Sequence, residues 1–234
     1  MLALLVVLVA SGCTEPEPEP TIPSTELICD RDYAPALSQL VEEAQAEILI
    51  AQWEFFEGSA TEEILDLLGE AADRGIEVRV LLDDALEENV EAVAWLEAVG
   101  VDARLDGSDD DKLHAKLVLA DGDTALVGST NWSTAAIDYN AECNLLVRGE
   151  DAVRYLDAWF EGIWDHPEQR NSPDLVQAPE AQTQALVDDD LLVTLLELID
   201  GAEQRIDFTL YATYLQPSSP SSPAMQVFSS LTQA

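Results

Sequence analysis

The sequence predicts an α/β fold, a mixed sheet flanked by helices. Three observations carry that expectation. Apolar runs at residues 48–51 and 76–82 read as strands buried on both faces. Around them, leucines and alanines recur at helical spacing, so strands alternate with helices as in a layered α/β domain. Further along, two apolar stretches, 113–120 and 124–130, flank Asp121-Gly122, a strong two-residue hairpin signal. With 234 residues, 47% of them hydrophobic, the chain is long enough for one good core, or for one domain and part of another.

Taken in order, residues 2–10 form an apolar run too short to span a bilayer and suited to the core of an export signal. Ala10-Ser11-Gly12-Cys13 resembles a bacterial lipobox. That resemblance implies that Cys13 is lipidated and that the protein sits, exported and membrane-anchored, in the cell envelope. Residues 14–25, with their Thr-Glu-Pro-Glu-Pro-Glu-Pro run, read as an extended tether. The main lobe is expected over 26–169. Leu37, Leu40, Val41 and Ala44 define a first helix, and the run at 48–51 leads to Trp53. Ser59-x-x-Glu62 reads as a capping box for a helix carrying Ile64, Leu65, Leu67, Leu68 and Ala71, ended by Gly75. A helix over 87–99 presents Val90, Val93 and Ala94 on one face and stops at Gly100. After the hairpin come a strand at 142–147 and an amphipathic helix at 150–164 with Val153, Leu156, Phe160 and Trp164.

Residues 170–185 read as a linker. Beyond it the opening pattern returns. Leu191, Leu192, Leu195, Leu196 and Ile199 form a helix, and an Ala-x-x-x-Ile junction leads into a strand near 206–211. Residues 186–234 are therefore expected to be a truncated second repeat. Cys29 and Cys143 lack a spacing signature and read either as small buried hydrophobes or, given export, as a bridge.

Charge narrows the function. Asp+Glu total 47 against 10 Lys+Arg, a net charge of −37, so nucleic acid is a disfavoured partner, and so is broad contact with anionic lipid headgroups. The chain has two lysines, Lys112 and Lys116, and two histidines, His114 and His166. Three of these four lie in the pentapeptide Lys112-Leu113-His114-Ala115-Lys116, which points to a site for an anion. Asp109-Asp110-Asp111 reads as a solvated loop, and no metal site is expected. His166 reads as a helix-end residue.

A two-residue turn at Asp121-Gly122 places His114 opposite Ser129, Lys112 opposite Asn131 and Lys116 opposite Val127. His114, Lys116, Ser129 and Asn131 then share one face, with Leu113, Leu117 and Leu126 on the other. A neutral imidazole can attack phosphorus, an ammonium can hold a phosphate oxygen, and hydroxyl and amide groups supply neutral donors. Glu142 is the candidate to orient the histidine. Trp132, next to Asn131, reads equally as a cleft wall or a core residue.

His114-x-Lys116-x4-Asp121-x6-Gly128-Ser129-x-Asn131 resembles the signature of the phospholipase D superfamily. Asn140-x-Glu142 and the segment from Arg74 to Asp83 are similar to that family as well. The resemblance spans about 33–165, with a partial second copy at 186–215. It implies a phospholipase D-like lobe and a phosphohistidine intermediate, with no metal or organic cofactor. His114, Lys116, Ser129, Asn131 and Glu142 become the reacting half-site, and Asp121 and Gly128 structural motif residues. The implied substrate is a phospholipid or another phosphodiester, hydrolysed or transferred to an alcohol; a nuclease is the alternative enzyme, and an inactive lipoprotein binding phosphate groups the non-enzymatic one. The family joins two such motifs at one site, and this chain carries one. The second motif is expected from a missing C-terminal repeat or from a homodimer partner; failing both, the half-site is inactive.

Overall fold

The computed structural model describes residues 24–107, 112–149, 151–167, 173–175, 177, 183–187, 189–203 and 221–231. The segments read as export signal, lipobox with Cys13, most of the tether, Asp109-Asp110-Asp111 and the strand at 206–211 lie outside them. The elements run β1 (Ser24–Cys29), a 3₁₀ turn at Asp30–Asp32, α1 (Tyr33–Glu43), β2 (Glu47–Gln52), α2 (Ser59–Asp73), β3 (Glu77–Leu82) and α3 (Glu87–Ala98). They continue with β4 (Asp102–Leu105), β5 (Lys116–Ala120), β6 (Thr124–Gly128), α4 (Thr134–Asp138), β7 (Cys143–Arg148), α5 (Asp151–Asp165), α6 (Asp189–Asp200) and α7 (Pro223–Leu231). One sheet forms in the order β1-β7-β6-β5-β2-β3-β4. Its β2-β3-β4 half is parallel and the rest antiparallel, so it is mixed, as the alternation followed by a hairpin predicts.

The central strands are apolar on both faces because both faces are covered. Ile48, Ile50, Val78, Val80, Val118 and Leu126 pack with α1, α2 and α3 through Leu37, Leu40, Leu68 and Leu96. Leu49, Ala51, Leu81, Leu117, Leu119 and Ala125 pack on the other side against α5 through Val153, Leu156, Phe160 and Trp164. Ala185 and Val187 join that second cluster. Gly75 (φ 89°) takes the left-handed conformation that ends α2. The Ile76 N–H donates to Ala71 O and the Gly75 N–H to Ala72 O, closing the helix end as expected.

Four sequence expectations need correction. The α2 capping box does not form, because Gly58 is the N-cap and Ser59 already lies inside the helix; Thr61 and Glu62 donate their amides to Gly58 O instead. On α3 the buried residues are Asn89, Ala92 and Leu96, while Val90 is exposed. Asn89 turns that face inward because its amide ties the segment after β2 to the end of β3: it accepts from Phe55 N and donates to Trp53 O and Asp83 O.

The hairpin loop has three residues, not two. Ala120 pairs with Thr124, and Leu117 with Val127. The reason is tertiary: Asp121 stays on the β2 ladder, its N–H donating to Glu47 O. Both Asp121 (φ 53°) and Gly122 (φ 66°) are left-handed, which the Asp-Gly pair tolerates. The shift of one residue moves Leu126 to the face opposite Leu117, as the two separate clusters show.

Candidate active site

The site lies at the start of β5 and the exit of β2. Trp53 continues the β2–β5 ladder, its N–H donating to Ala115 O at 3.0 Å. Just before β5, Leu113 is 1% exposed, and its N–H donates to the buried Asp83 carboxylate at 2.7 Å. This anchor fixes the backbone on which His114 and Lys116 stand. The two side chains, two residues apart, both meet Trp53. The His114 ring lies 4.8 Å from the indole at 52°, and Lys116 Nζ lies 5.0 Å from the indole centroid. Lys112 Nζ approaches the same ring at 5.8 Å.

The electrostatics differ for the two groups. Burial, then the charges of Lys116 and Lys112, hold the His114 imidazole below its usual range, with Asp83 pulling the other way. The neutral imidazole is therefore favoured. Lys116 is 9% exposed, and burial brings its ammonium down to about 8; Glu54, Glu142 and Asp83 oppose that shift. Glu54 is buried, which raises its carboxyl, while a hydrogen bond with Ser133 and the charge of Lys116 lower it.

The second strand end delivers Ser129 and Asn131. Gly128 allows it: a Cβ there would come within 2.4 Å of both Cys143 O and Asn144 Oδ1. Ser129 Oγ donates to Glu142 Oε2 at 2.5 Å and accepts from Cys143 N at 3.0 Å, and the Ser129 N–H donates to Cys143 O. Behind the loop, the buried Asn144 amide donates to Ile28 O and Thr130 Oγ1 and accepts from Thr130 N. Asn131 is half-buried, and its amide oxygen is without a donor among the described residues.

Glu142 is engaged away from the imidazole: its two carboxylate oxygens accept from Ser129 and from Asn140 Nδ2 (3.1 Å). Ser129 and Lys116 are not placed by a two-residue hairpin either; the β5–β6 register, carried one step on, sets Lys116 level with Gly128. Asp121 is remote from this end of β5. Its carboxylate accepts three backbone amides, from Gln45, Ala46 and Glu47, at 2.8–3.1 Å. Trp132 is fully buried, donates through Nε1 to Tyr33 OH and packs edge-on against Phe55, so it belongs to the core. His166 follows the end of α5 and is exposed. Sequence reasoning missed Trp53, Glu54, Asp83, Asn89 and Asn144 as site-forming residues. Trp53 alone carried a linear signal, an aromatic at the exit of a fully apolar strand.

Residues 37–164 match the family described as "Cardiolipin synthase, PLD-like domain". The chain belongs to the phospholipase D superfamily. Among curated proteins, the dog "Mitochondrial cardiolipin hydrolase" is 36% identical over 93 residues, 39% of this chain and 36% of that protein. The human "Mitochondrial cardiolipin hydrolase" is 34% identical over the same length and coverage. The matched region thus spans about a third of each of these relatives. The crystal structure of Nuc from Salmonella typhimurium, a phospholipase D family member, shares the fold with a TM-score of 0.55 at 19% identity, over 62% of this chain and 95% of that one. As a phospholipase D-like lobe, the chain places its single His-x-Lys segment where the two halves of its sheet, parallel and antiparallel, meet.

Proposed function

We propose that this chain provides the nucleophilic half-site of a phosphodiesterase or phosphatidyltransferase that acts on phospholipids through a phosphohistidine. The observation that carries the reading is the pairing of an imidazole favoured in its neutral form with a buried ammonium on one tryptophan. The His114 imidazole forms an N–P bond as the P–O bond to the leaving alcohol breaks. Lys116 balances charge on a non-bridging oxygen and Asn131 donates its amide N–H to the phosphoryl group, while the single Ser129 O–H, held by Glu142 in the free site, turns to the phosphoryl oxygen when substrate enters. The leaving alkoxide takes its proton from the second motif, and water or an acceptor alcohol then attacks phosphorus and frees the imidazole. That second motif comes from a C-terminal repeat or a second copy of the chain.

The curated relatives carry cardiolipin in their names, which favours a lipid phosphodiester over a polynucleotide. The net charge of −37 disfavours both a polynucleotide and broad contact with anionic headgroups, so it does not choose between them. A lipid anchor at Cys13 would hold the lobe at a membrane surface. The test is release of headgroup from cardiolipin or phosphatidylglycerol vesicles, with bis(p-nitrophenyl) phosphate as the soluble reference substrate. Turnover of both that disappears in His114→Asn is the expected result. Turnover of both that survives His114→Asn rejects the mechanism.

A further inference from the structure

Cys29 ends β1 and Cys143 begins β7, and the two are direct partners in the antiparallel ladder. The neighbouring pair is joined by the Asp30 N–H donating to Glu142 O at 3.0 Å. Asp30 and Glu142 therefore occupy the hydrogen-bonded position and Cys29 and Cys143 the narrow one between, where opposed Cα atoms are about 4.5 Å apart. That spacing lies within the range a disulfide bridges without backbone movement. The two sulfurs sit 2.8 Å apart, and Cys143 is exposed to reagents. The surrounding contacts make this strand end consequential. The Glu142 N–H donates to the Asp30 carboxylate, Glu142 holds the Ser129 hydroxyl, and the Cys143 backbone pairs with Ser129 in both directions.

We propose that Cys29 and Cys143 are a disulfide-forming pair that staples β1 to β7 at the strand end carrying Glu142. The oxidant is a small or protein disulfide. The Cys143 thiolate attacks one of its sulfurs, forming a mixed disulfide and releasing one thiol. The Cys29 thiolate then displaces the second thiol, so two protein thiols give one disulfide and the oxidant is reduced to two thiols. The Cys143 thiol's hydrogen bond, then burial, pushes the Cys29 thiol up to about 11, in keeping with Cys143 reacting first. The bond closes a loop of 114 residues, long enough to restrict the unfolded chain strongly.

The experiment uses the full chain, reduced, desalted and equilibrated with oxidised glutathione. It is then alkylated under denaturing conditions and mapped by peptide mass. A peptide pair joining Cys29 to Cys143, lighter by two hydrogens, is expected. The oxidised protein should melt on the order of 5–10 °C above the same protein held in reductant. Cys29→Ser should melt at one temperature with or without reductant. Recovery of both residues as alkylated thiols, arrest at a glutathione adduct on Cys143, bonding of either to Cys13, or a crosslink that leaves the melting temperature unmoved would each overturn the staple. None of these readouts depends on catalytic activity.

Discussion

Lys116 donates from Nζ to the backbone carbonyl of His114 at 3.1 Å, folding the ammonium back toward the residue it serves. Both side chains are then braced by Trp53. The indole supplies an electron-rich face to the cation and a flat wall to the imidazole, contacts worth about 0.5–2 kcal/mol when partly desolvated. Trp53→Ala should therefore lower kcat/KM about tenfold with the fold intact by circular dichroism, and Trp53→Phe should recover most of the loss. Equal activity in Trp53→Ala and wild type would remove the indole from the site.

The pH profile follows from two downward shifts. His114 must be neutral to attack and has its proton affinity reduced, so activity should rise with pH through a point below the ordinary histidine value. Lys116 must be charged to hold the phosphoryl oxygen and titrates near 8, so activity should fall as pH climbs through that value. The expected kcat/KM profile is a bell whose alkaline limb reports the free enzyme. Lys116→Arg keeps its charge at every accessible pH. It should move the alkaline limb away from the lysine's value to that set by the general acid of the second motif, while retaining the acid limb, at reduced overall rate.

Asp121 belongs to the linear signature yet serves the opposite end of β5, where its carboxylate gathers three backbone amides at the α1–β2 junction. Charge-assisted bonds of this kind contribute about 1.5–3 kcal/mol when one partner is removed. Asp121→Ala should lower the free energy of unfolding, measured by denaturant titration, by an amount in that range. It should leave kcat unchanged well below the melting temperature. A loss of kcat without a loss of stability would place Asp121 in the chemistry instead.

The parts of this fold legible in the sequence were those set by periodicity: the buried runs of β2 and β3, the apolar stripe of α5, the glycine stops of α2 and α3. β1 escaped because it is an edge strand, Ser-Thr-Glu-Leu-Ile-Cys, with four exposed residues in a row and no alternation to read. β4 has only four residues. The hairpin register slipped because Asp121 remains paired to β2, a contact that no local turn signal encodes. At the site, His114, Lys116, Ser129 and Asn131 were legible as a spaced motif. Asp83, Asn89 and Asn144 were not, because each is a buried polar residue whose meaning lies in the groups it satisfies across 6 to 116 positions of chain.

Gly128 tests the close approach of β6 and β7. Any Cβ at this position meets Cys143 O and Asn144 Oδ1 at 2.4 Å, and one of these is backbone. The strands must separate, at a cost of about 1–3 kcal/mol for an overpacked site. Gly128→Ala should therefore both destabilise the protein and reduce activity, because Ser129 is hung directly on Cys143 by two backbone-side contacts. Wild-type stability in this variant would mean the strands part freely.

Glu142 and Ser129 separate two accounts of the carboxylate. If Glu142 acts by holding the serine hydroxyl, the effects of Glu142→Gln and Ser129→Ala share one cause and must not add. Each single variant should lose about 10- to 100-fold in kcat/KM, the scale of one hydrogen bond to a charged group. The double variant should then be no slower than the worse single one. If Glu142 instead orients His114 during turnover, the two losses multiply, and Glu142→Gln alone shifts the acid limb of the pH profile by removing a negative charge from the imidazole. Measuring the cycle at several pH values distinguishes the two, and the geometry favours the first: both carboxylate oxygens are already engaged, by Ser129 and Asn140.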